Sequence, residues 1–131
     1  MATPFKPAGY SSVSPYLISQ DGEATLAFLE AALGAQRLRR HEDEAGRIRH
    51  AEARIDDSVV MIADSFPGWE PTPSYVHVYV KDVDAAFAKA KAAGGKVVQE
   101  PVQKDDDDKR GGITGPGGIT WWLSTQKGPR G

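Results

Sequence analysis

The sequence predicts an α+β fold built from two tandem βαβββ units, and three observations support this prediction. The length of 131 residues, with 40% hydrophobic and 26% charged residues, suits one globular domain. The chain resembles itself when displaced by 61 positions, so that Asp21 falls on Asp82 and Gly34 on Gly95. Each copy begins with an alternating pattern and continues with a helical one. We expect a single domain over 13–126, with units 13–66 and 74–126, a linker at 67–73, a flexible N-terminal arm at 1–12 and a tail at 127–131.

The opening strand of each unit shows apolar residues that alternate with residues of a different kind. A period of two buries one face of a strand and leaves the other face chemically distinct. The set predicted to be buried is Val13, Leu17, Val76, Val78 and Val80, and the opposite set is Ser14, Tyr16, Ile18, Tyr75, His77 and Tyr79.

A helix is predicted after each opening strand. Asp21 and Asp82 stand where an N-cap side chain accepts backbone N–H groups. Gly34, and Gly94 with Gly95, supply the left-handed conformation that ends a helix. The apolar residues with helical spacing are Leu26, Leu29 and Leu33 in the first unit and Val83, Phe87 and Ala90 in the second.

Three further strands are expected to complete each unit. They are 37–41, 48–55 and 58–63 in the first unit, and 96–99, an irregular stretch around 103–117, and 119–125 in the second. The acidic run Asp105-Asp106-Asp107-Asp108-Lys109 resembles an engineered protease tag, but the favoured interpretation is a solvated segment where the repeat requires a loop and a strand, because like charges in a row repel one another. The glycines at 111–112 and 115–118 favour mobility there, so a mobile lid is one role for this segment.

Composition excludes several classes of function. The net charge of −2 gives no reason to expect nucleic acid or an anionic membrane as a partner. The absence of cysteine excludes disulfides and thiolate catalysis. No apolar run approaches the ~20 residues that span a bilayer, and residues 1–12 lack the pattern of a signal peptide. We expect a cytoplasmic protein.

Several segments resemble one known family. They are 13–18, 32–35, 50–55, 58–64 and 80–84, followed by Gly117-Gly118 ahead of Trp121-Trp122. On these segments the chain resembles the vicinal-oxygen-chelate superfamily (glyoxalases, bleomycin resistance proteins and extradiol dioxygenases), and its PhnB-like branch in particular. The resemblance implies an open barrel-like sheet with a concave ligand cleft, and a homodimer. It implies no single chemistry, because the members include metal-dependent enzymes and metal-free drug-binding proteins.

The metal site of that superfamily has poor counterparts here. Its metalloenzymes take ligands from the first and last strand of each unit, and the resemblance places these positions at Ser14, Met61, Tyr75 and Trp122. A divalent cation prefers imidazole nitrogen or carboxylate oxygen, so a thioether and an indole cannot serve. The strand at 119–125 contains no His, Asp or Glu that a register shift would bring into place. We therefore disfavour a divalent metal and expect no cofactor.

The predicted cleft has aromatic walls and a few polar groups, as small-molecule pockets commonly do. Its rings offer stacking area for a planar ring or a cation. Trp121 is expected in the core, and Trp69 either at the cleft mouth or at a dimer contact. The residues expected to contact a ligand are Tyr16, Met61, Tyr75, His77, Tyr79, Trp122 and Arg54.

Three residues are candidates for catalysis. His77, His50 and Glu52 would form an acid–base cluster or an improvised metal site if they converged. The favoured interpretation is that Glu52 and Arg54 merely satisfy polar groups, by pairing with His50 or with each other. No serine motif for nucleophilic catalysis is present.

The leading functional hypothesis is a metal-free protein that binds a small aromatic or cationic organic molecule, with antibiotic sequestration as the family precedent. The alternative is a lyase, isomerase or transferase that uses His77 and Glu52, with or without a divalent metal. A scaffold without a small-molecule function is a third hypothesis. Whether the protein is an enzyme stays open at this point.

Overall fold

A computed structural model describes residues 3–105 and 107–129 and has ten elements. The first half has one helix and four strands, and the second half repeats that order. The elements are β1 (Tyr16–Ser19), α1 (Gly22–Leu33), β2 (Gln36–Glu42), β3 (Ile48–Ile55), β4 (Ser58–Asp64), β5 (Ser74–Tyr79), α2 (Val83–Ala92), β6 (Lys96–Gln103), β7 (Asp108–Thr114) and β8 (Ile119–Gln126).

The strands form two four-stranded mixed sheets, in the orders β1-β4-β3-β2 and β5-β8-β7-β6. In each sheet the first strand runs parallel to the fourth, and the remaining neighbours are antiparallel. The predicted α+β class and the tandem βαβββ units are confirmed. Within the described residues no strand pairing joins the two sheets, so they do not close into a barrel.

The internal repeat is present in the backbone pairing. Tyr16 pairs with Met61 in the first sheet, and His77 pairs with Trp122 in the second, which reproduces the displacement of 61 positions on both strands. The third strand departs from it by one residue, because Met61 pairs with Glu52 whereas Trp122 pairs with Gly112. The turn between β7 and β8 is longer than the turn between β3 and β4, which accounts for this shift.

The predicted helix ends are confirmed. Asp21 accepts a hydrogen bond from the backbone N–H of Ala24, and Asp82 does the same for the third residue after it, so both are N-caps. Helix α1 ends at Gly34, whose φ of 65° is left-handed. In the second unit the left-handed residue is Gly94, with φ of 99°.

A single core lies on the helix side of both sheets. Helices α1 and α2 pack against each other, and their apolar faces cover the two sheets. Trp121 is 1% exposed, which confirms its predicted place in the core. The largest fully buried side chains around it are Leu26, Leu29, Ile48, Ile62, Ile113, Ile119 and Leu123.

The β7–β8 turn of the second half is inserted against the start of α1 in the first half. The carbonyl of Gly117 accepts from the backbone N–H of Gln20 at 3.0 Å, and the carbonyl of Pro116 accepts from the Thr25 hydroxyl at 3.0 Å. Gly117 has φ of 102°, and a Cβ there would lie 2.1 Å from Thr25 Oγ1. Only glycine fits this contact between the halves.

Three sequence-based expectations are wrong. The stretch around 103–117 is mostly regular, because β6 extends to Gln103 and β7 begins at Asp108. The acidic run is a loop followed by a strand, as expected, and Asp105 is exposed, but Asp108 is 3% exposed rather than solvated. The glycines at 111–112 lie inside β7 at places where a Cβ would collide with neighbouring rings. They therefore allow those rings to pack closely against the strand, and they are not part of a mobile lid. Val13 was expected in the core but is 84% exposed, because β1 begins only after Pro15. Asp106 of the acidic run lies outside the described residues.

Candidate functional site: the open faces of the two sheets

Each sheet has one face covered by its helix and an opposite face that we call the open face. Side chains alternate between these faces, so the residues predicted to contact a ligand fall on the open ones. Backbone register aligns them into two equivalent rows. The first row is Tyr16, Met61 and Glu52, and the second row is His77, Trp122 and Gly112.

Glu52 is the centre of the polar contacts on the first open face. It is 4% exposed, and its Oε1 accepts a hydrogen bond from the Tyr10 hydroxyl at 2.5 Å. Because an ionised carboxylate only accepts, His50 Nε2 donates to Glu52 Oε2, over 2.7 Å. Burial pushes the pKa of Glu52 upward, but the hydrogen bonds from Tyr10 and His50 outweigh burial and leave it below its ordinary value. Glu52 is therefore a buried, ionised acceptor with both oxygens occupied.

The N-terminal arm lies across the same face. Arg54 donates to the carbonyl of Gly9, and its guanidinium stands 5.8 Å from the centre of the Tyr10 ring. A cavity of about 620 Å³ lies between the arm and the sheet. It is lined by Phe5, Lys6, Pro7, Tyr10, Ser11, Ser12, Ser14, Arg39, Glu52 and Met61. The flexibility of this arm remains a prediction.

A strip of aromatic rings borders the first open face. The Tyr16 ring lies 6.0 Å from the rings of both His50 and Trp69, and Trp69 stacks on Phe66 at 5.9 Å with an interplanar angle of 7°. Tyr16 and Trp69 are each about half exposed. The linker thus brings Trp69 to the rim of the first open face, one of the two placements expected for it; its role in a dimer contact is not tested. We call these four residues the ring strip.

The second open face carries a hydrogen-bonded network instead of a ring strip. His77 Nε2 lies 2.9 Å from Ser124 Oγ, which also accepts from Arg110 Nε at 3.0 Å. The Tyr79 hydroxyl donates to Asp108 Oδ2 at 2.7 Å, and Arg110 donates to the same oxygen. The His77 and Tyr79 rings meet edge to face at 4.7 Å.

The contact of Ser124 with His77 was missed by sequence reasoning, because the two residues are 47 positions apart. The available signal was the repeat, which places β8 beside β5 and Ser124 beside Tyr79. Ser124 is 0% exposed, so its hydroxyl cannot reach a substrate and serves to orient His77 and Arg110. The pair is a structural network rather than a nucleophile and its base.

The candidate catalytic residues converge only in part. His50 and Glu52 are in direct contact, as the polar-pairing interpretation expected. His77 belongs to the other sheet, and no hydrogen bond or ring contact of residues 3–105 and 107–129 joins it to either of them. His77 and Tyr79 instead line a groove of about 410 Å³ between the halves, opposite Val13 and Pro15.

The remaining predicted contacts are on the second sheet. Tyr75 is 73% exposed at the start of β5. Trp122 is half-buried and lies against Gly112, where an added Cβ would be 2.6 Å from the indole ring. This close approach explains why the row contains a glycine opposite Trp122, whereas the first row contains Glu52.

The four residues that the resemblance places at the family's metal positions do not fit a divalent cation. Ser14, Met61, Tyr75 and Trp122 include neither an imidazole nor a carboxylate, the groups that such ions prefer. In the part of the chain that the structure describes, no group of three or more His, Asp or Glu side chains comes together as ligands.

Two tandem βαβββ units with one helix-covered and one open face per sheet define a domain of the vicinal-oxygen-chelate type. The chain belongs to the Glyoxalase/Bleomycin resistance protein/Dioxygenase superfamily, whose family model matches residues 12–123. It is 32% identical over 123 residues to the uncharacterized protein Mb0911c of Mycobacterium bovis, a match that covers 86% of this chain and 81% of the relative.

Two solved structures extend the comparison. TioX from Micromonospora sp. ML1 is 26% identical with a TM-score of 0.74, and the match covers 88% of this chain and 98% of TioX. TnmS3, an antibiotic binding protein from Streptomyces sp. CB03234, is 19% identical with a TM-score of 0.66, over 89% and 99% of the two chains. The likeness to TnmS3 shows a shared fold.

Among the described residues no helix is long and apolar enough to cross a membrane.

Proposed function

We propose that this chain is a small-molecule binding protein that holds an aromatic organic ligand on its open faces without a metal. The ring strip carries this proposal: Tyr16 and Trp69 leave ring surface exposed beside His50, at the edge of an otherwise polar face. Aromatic rings beside a few oriented polar groups are typical of small-molecule sites. A stacked aromatic pair contributes about 0.5–1.5 kcal/mol beyond the area it buries.

Sequestration of an antibiotic is the form of binding that we propose. TnmS3, which shares the fold, is itself an antibiotic binding protein. The enzymatic alternative, a lyase, isomerase or transferase using His77 and Glu52, has less support because those two residues lie in different sheets. A cationic ligand is less favoured on the first open face than an aromatic one, since Lys6, Arg39 and Arg54 surround the single carboxylate there.

We further propose that the protein is a cytoplasmic homodimer of the PhnB-like branch. Tyr75 and Tyr79 are large rings with much exposed surface on the second open face, and a second copy would cover such surface. The ligand contacts would then include Tyr16, Met61, Arg54, Tyr75, His77, Tyr79 and Trp122.

Titration with a panel of planar aromatic antibiotics that do not themselves bind metals tests the proposal. Binding is measured by isothermal titration calorimetry on protein purified without chelator and analysed for metal. Trp69→Ala and Trp122→Ala should each weaken binding about two- to tenfold or more, because each removes stacking area. Val98→Ala, which shortens an exposed side chain of β6, is the control and should leave affinity unchanged. Affinity that is unchanged in both tryptophan variants, or binding that needs a stoichiometric dication, would overturn the proposal.

A further inference from the structure

The contact between the arm and the first sheet resembles a ligand in its site. Tyr10 presents a phenol ring to the open face, with its hydroxyl on the buried Glu52 carboxylate and its ring beneath the Arg54 guanidinium. Met61 and Arg39 line the cavity around it. We call this corner of the first open face the Tyr10 site.

The rest of the arm is held loosely. Among the described residues, the hydrogen bonds that tie positions 3–12 to the remainder of the chain are those at Tyr10 and Gly9. Phe5 is 90% exposed, and no helix or strand forms before Tyr16. The arm is therefore anchored at Tyr10 and the adjacent Gly9, and release of these two residues would free the arm and open the cavity.

We propose that the Tyr10 site is a subsite for a phenolic ring of the ligand, which Tyr10 occupies until a phenolic ligand displaces it. This inference rests on the proposed function. It names phenols as the ligand class for the first open face. The phenol side chain of Tyr10 acts as an internal stand-in for that ligand.

The chemistry of the site selects a neutral phenol. Glu52 is ionised and buried, so it requires a donor, and a phenol hydroxyl is a good one. The bond to Glu52 raises the pKa of the Tyr10 hydroxyl, so the phenol keeps its proton. Arg54 favours the electron-rich face of a ring. Lys6 and Arg39 at the cavity wall would repel an ammonium group, which makes a cationic ligand a poor competitor.

Because Tyr10 is tethered to the site by the chain, a ligand needs a minimum affinity to displace it. A short flexible tether holds a group at an effective concentration on the order of millimolar, so a simple phenol must compete with Tyr10 at that level. A hydrogen bond to a charged acceptor contributes a factor of roughly 10–150 to an equilibrium constant. Ligands that place additional rings on the ring strip would exceed this threshold, whereas a lone phenol would not.

The test uses 4-methylphenol, which is the tyrosine side chain as a free molecule, and toluene, which lacks the hydroxyl. Each is titrated into the full chain while the backbone amide signals of residues 51–53 and 60–62 are followed by NMR. In Tyr10→Ala, 4-methylphenol should bind at least about tenfold more tightly than in the wild type and about tenfold more tightly than toluene. Tyr10→Phe, which keeps the ring and removes the hydrogen bond, should give an intermediate gain. Adding Glu52→Gln to Tyr10→Ala should reduce the preference for 4-methylphenol over toluene by about tenfold.

Equal affinity of wild type and Tyr10→Ala for 4-methylphenol, or equal affinity of Tyr10→Ala for the two probes, would overturn the inference. If planar antibiotics bind the wild type while Tyr10→Ala binds 4-methylphenol no more tightly than the wild type does, the subsite is wrong and the proposed function stands. If Tyr10→Ala binds 4-methylphenol more tightly than the wild type does while no antibiotic binds any variant, the subsite stands and antibiotic sequestration is wrong. Tyr10→Phe keeps the test decisive if Tyr10→Ala does not fold.

Discussion

Replacing Gly112 with alanine adds one methyl group directly beneath the Trp122 ring. The new Cβ would lie 2.6 Å from one ring carbon of Trp122 and 2.8 Å from two others, well inside van der Waals contact. Such overpacking costs about 1–3 kcal/mol when the neighbour cannot move. Against this, alanine is about 0.5–1 kcal/mol better than glycine within a strand. Gly112→Ala should therefore reduce the free energy of unfolding by up to about 2.5 kcal/mol in the wild type.

A double-mutant cycle isolates the ring contact. In a Trp122→Ala background the obstacle is gone, so Gly112→Ala should stabilise the protein by about 0.5–1 kcal/mol. Urea unfolding monitored by circular dichroism gives the four free energies. Gly111→Ala is the matched control, because its Cβ would face Phe87 and Pro101 on the helix side and its cost should not depend on Trp122. If Gly112→Ala has the same effect in both backgrounds, the ring does not lie over Gly112.

Two further substitutions test how the first half is held together. Asp64 accepts from the backbone N–H of Gly22 at 2.6 Å and of Ile48 at 2.7 Å, so Asp64→Asn, with one acceptor oxygen, should cost about 1.5–3 kcal/mol in urea unfolding. Glu23 bridges two arginines of β2, which lower its pKa to about 2 through hydrogen bonds. Its folded pKa lies below the unfolded value of 4.5, so its contribution is complete above pH 4.5 and is lost as pH falls toward 2. Since the Glu23 side chain is 54% exposed, Glu23→Gln should cost no more than about 1 kcal/mol at pH 7 and nothing near pH 2.

Each of these has a clear contrary result. An Asp64→Asn protein as stable as the wild type would mean that this carboxylate does not join α1 to β3. A cost of Glu23→Gln that stays constant from pH 7 to pH 2 would mean that the carboxylate charge does not contribute.

Local pattern was enough to predict most of the fold. Alternation and helix caps act over a few residues, so Asp21, Asp82 and the β5 alternation could be identified without any tertiary information. The burial of Asp108 could not be predicted in the same way. Its counterpart in the structure is the buried Ile48 at the start of β3, but the constant offset of 61 pairs Asp108 with Arg47, so only the observed one-residue shift accounts for its burial.

The candidate site was less predictable because its contacts are distant in sequence. The Tyr10 hydroxyl reaches Glu52 across 42 positions, and the arm has no periodic pattern that would indicate where it lies. The one-residue shift of the third strand depends on a turn length, which decides that Gly112 and not Ile113 stands opposite Trp122. That shift also gives the two open faces different centres, a carboxylate in one and an indole in the other.

The fit of Gly117 against Thr25 has a consequence for the repeat as a whole. Each unit has its own sheet and helix, which suggests two modules that could exist separately. Yet the start of α1 takes its backbone partner from a turn in the other unit, and a core side chain of the first half, Phe28, packs against Gly115 of that same turn. We therefore expect the two units to unfold in one cooperative transition, because a fragment of the first unit alone would lack the turn that accepts hydrogen bonds from Gln20 and Thr25. The repeat is thus retained in the pairing of the first and fourth strands of each sheet, whereas the contacts of the β7–β8 turn with α1 make the first unit depend on the second.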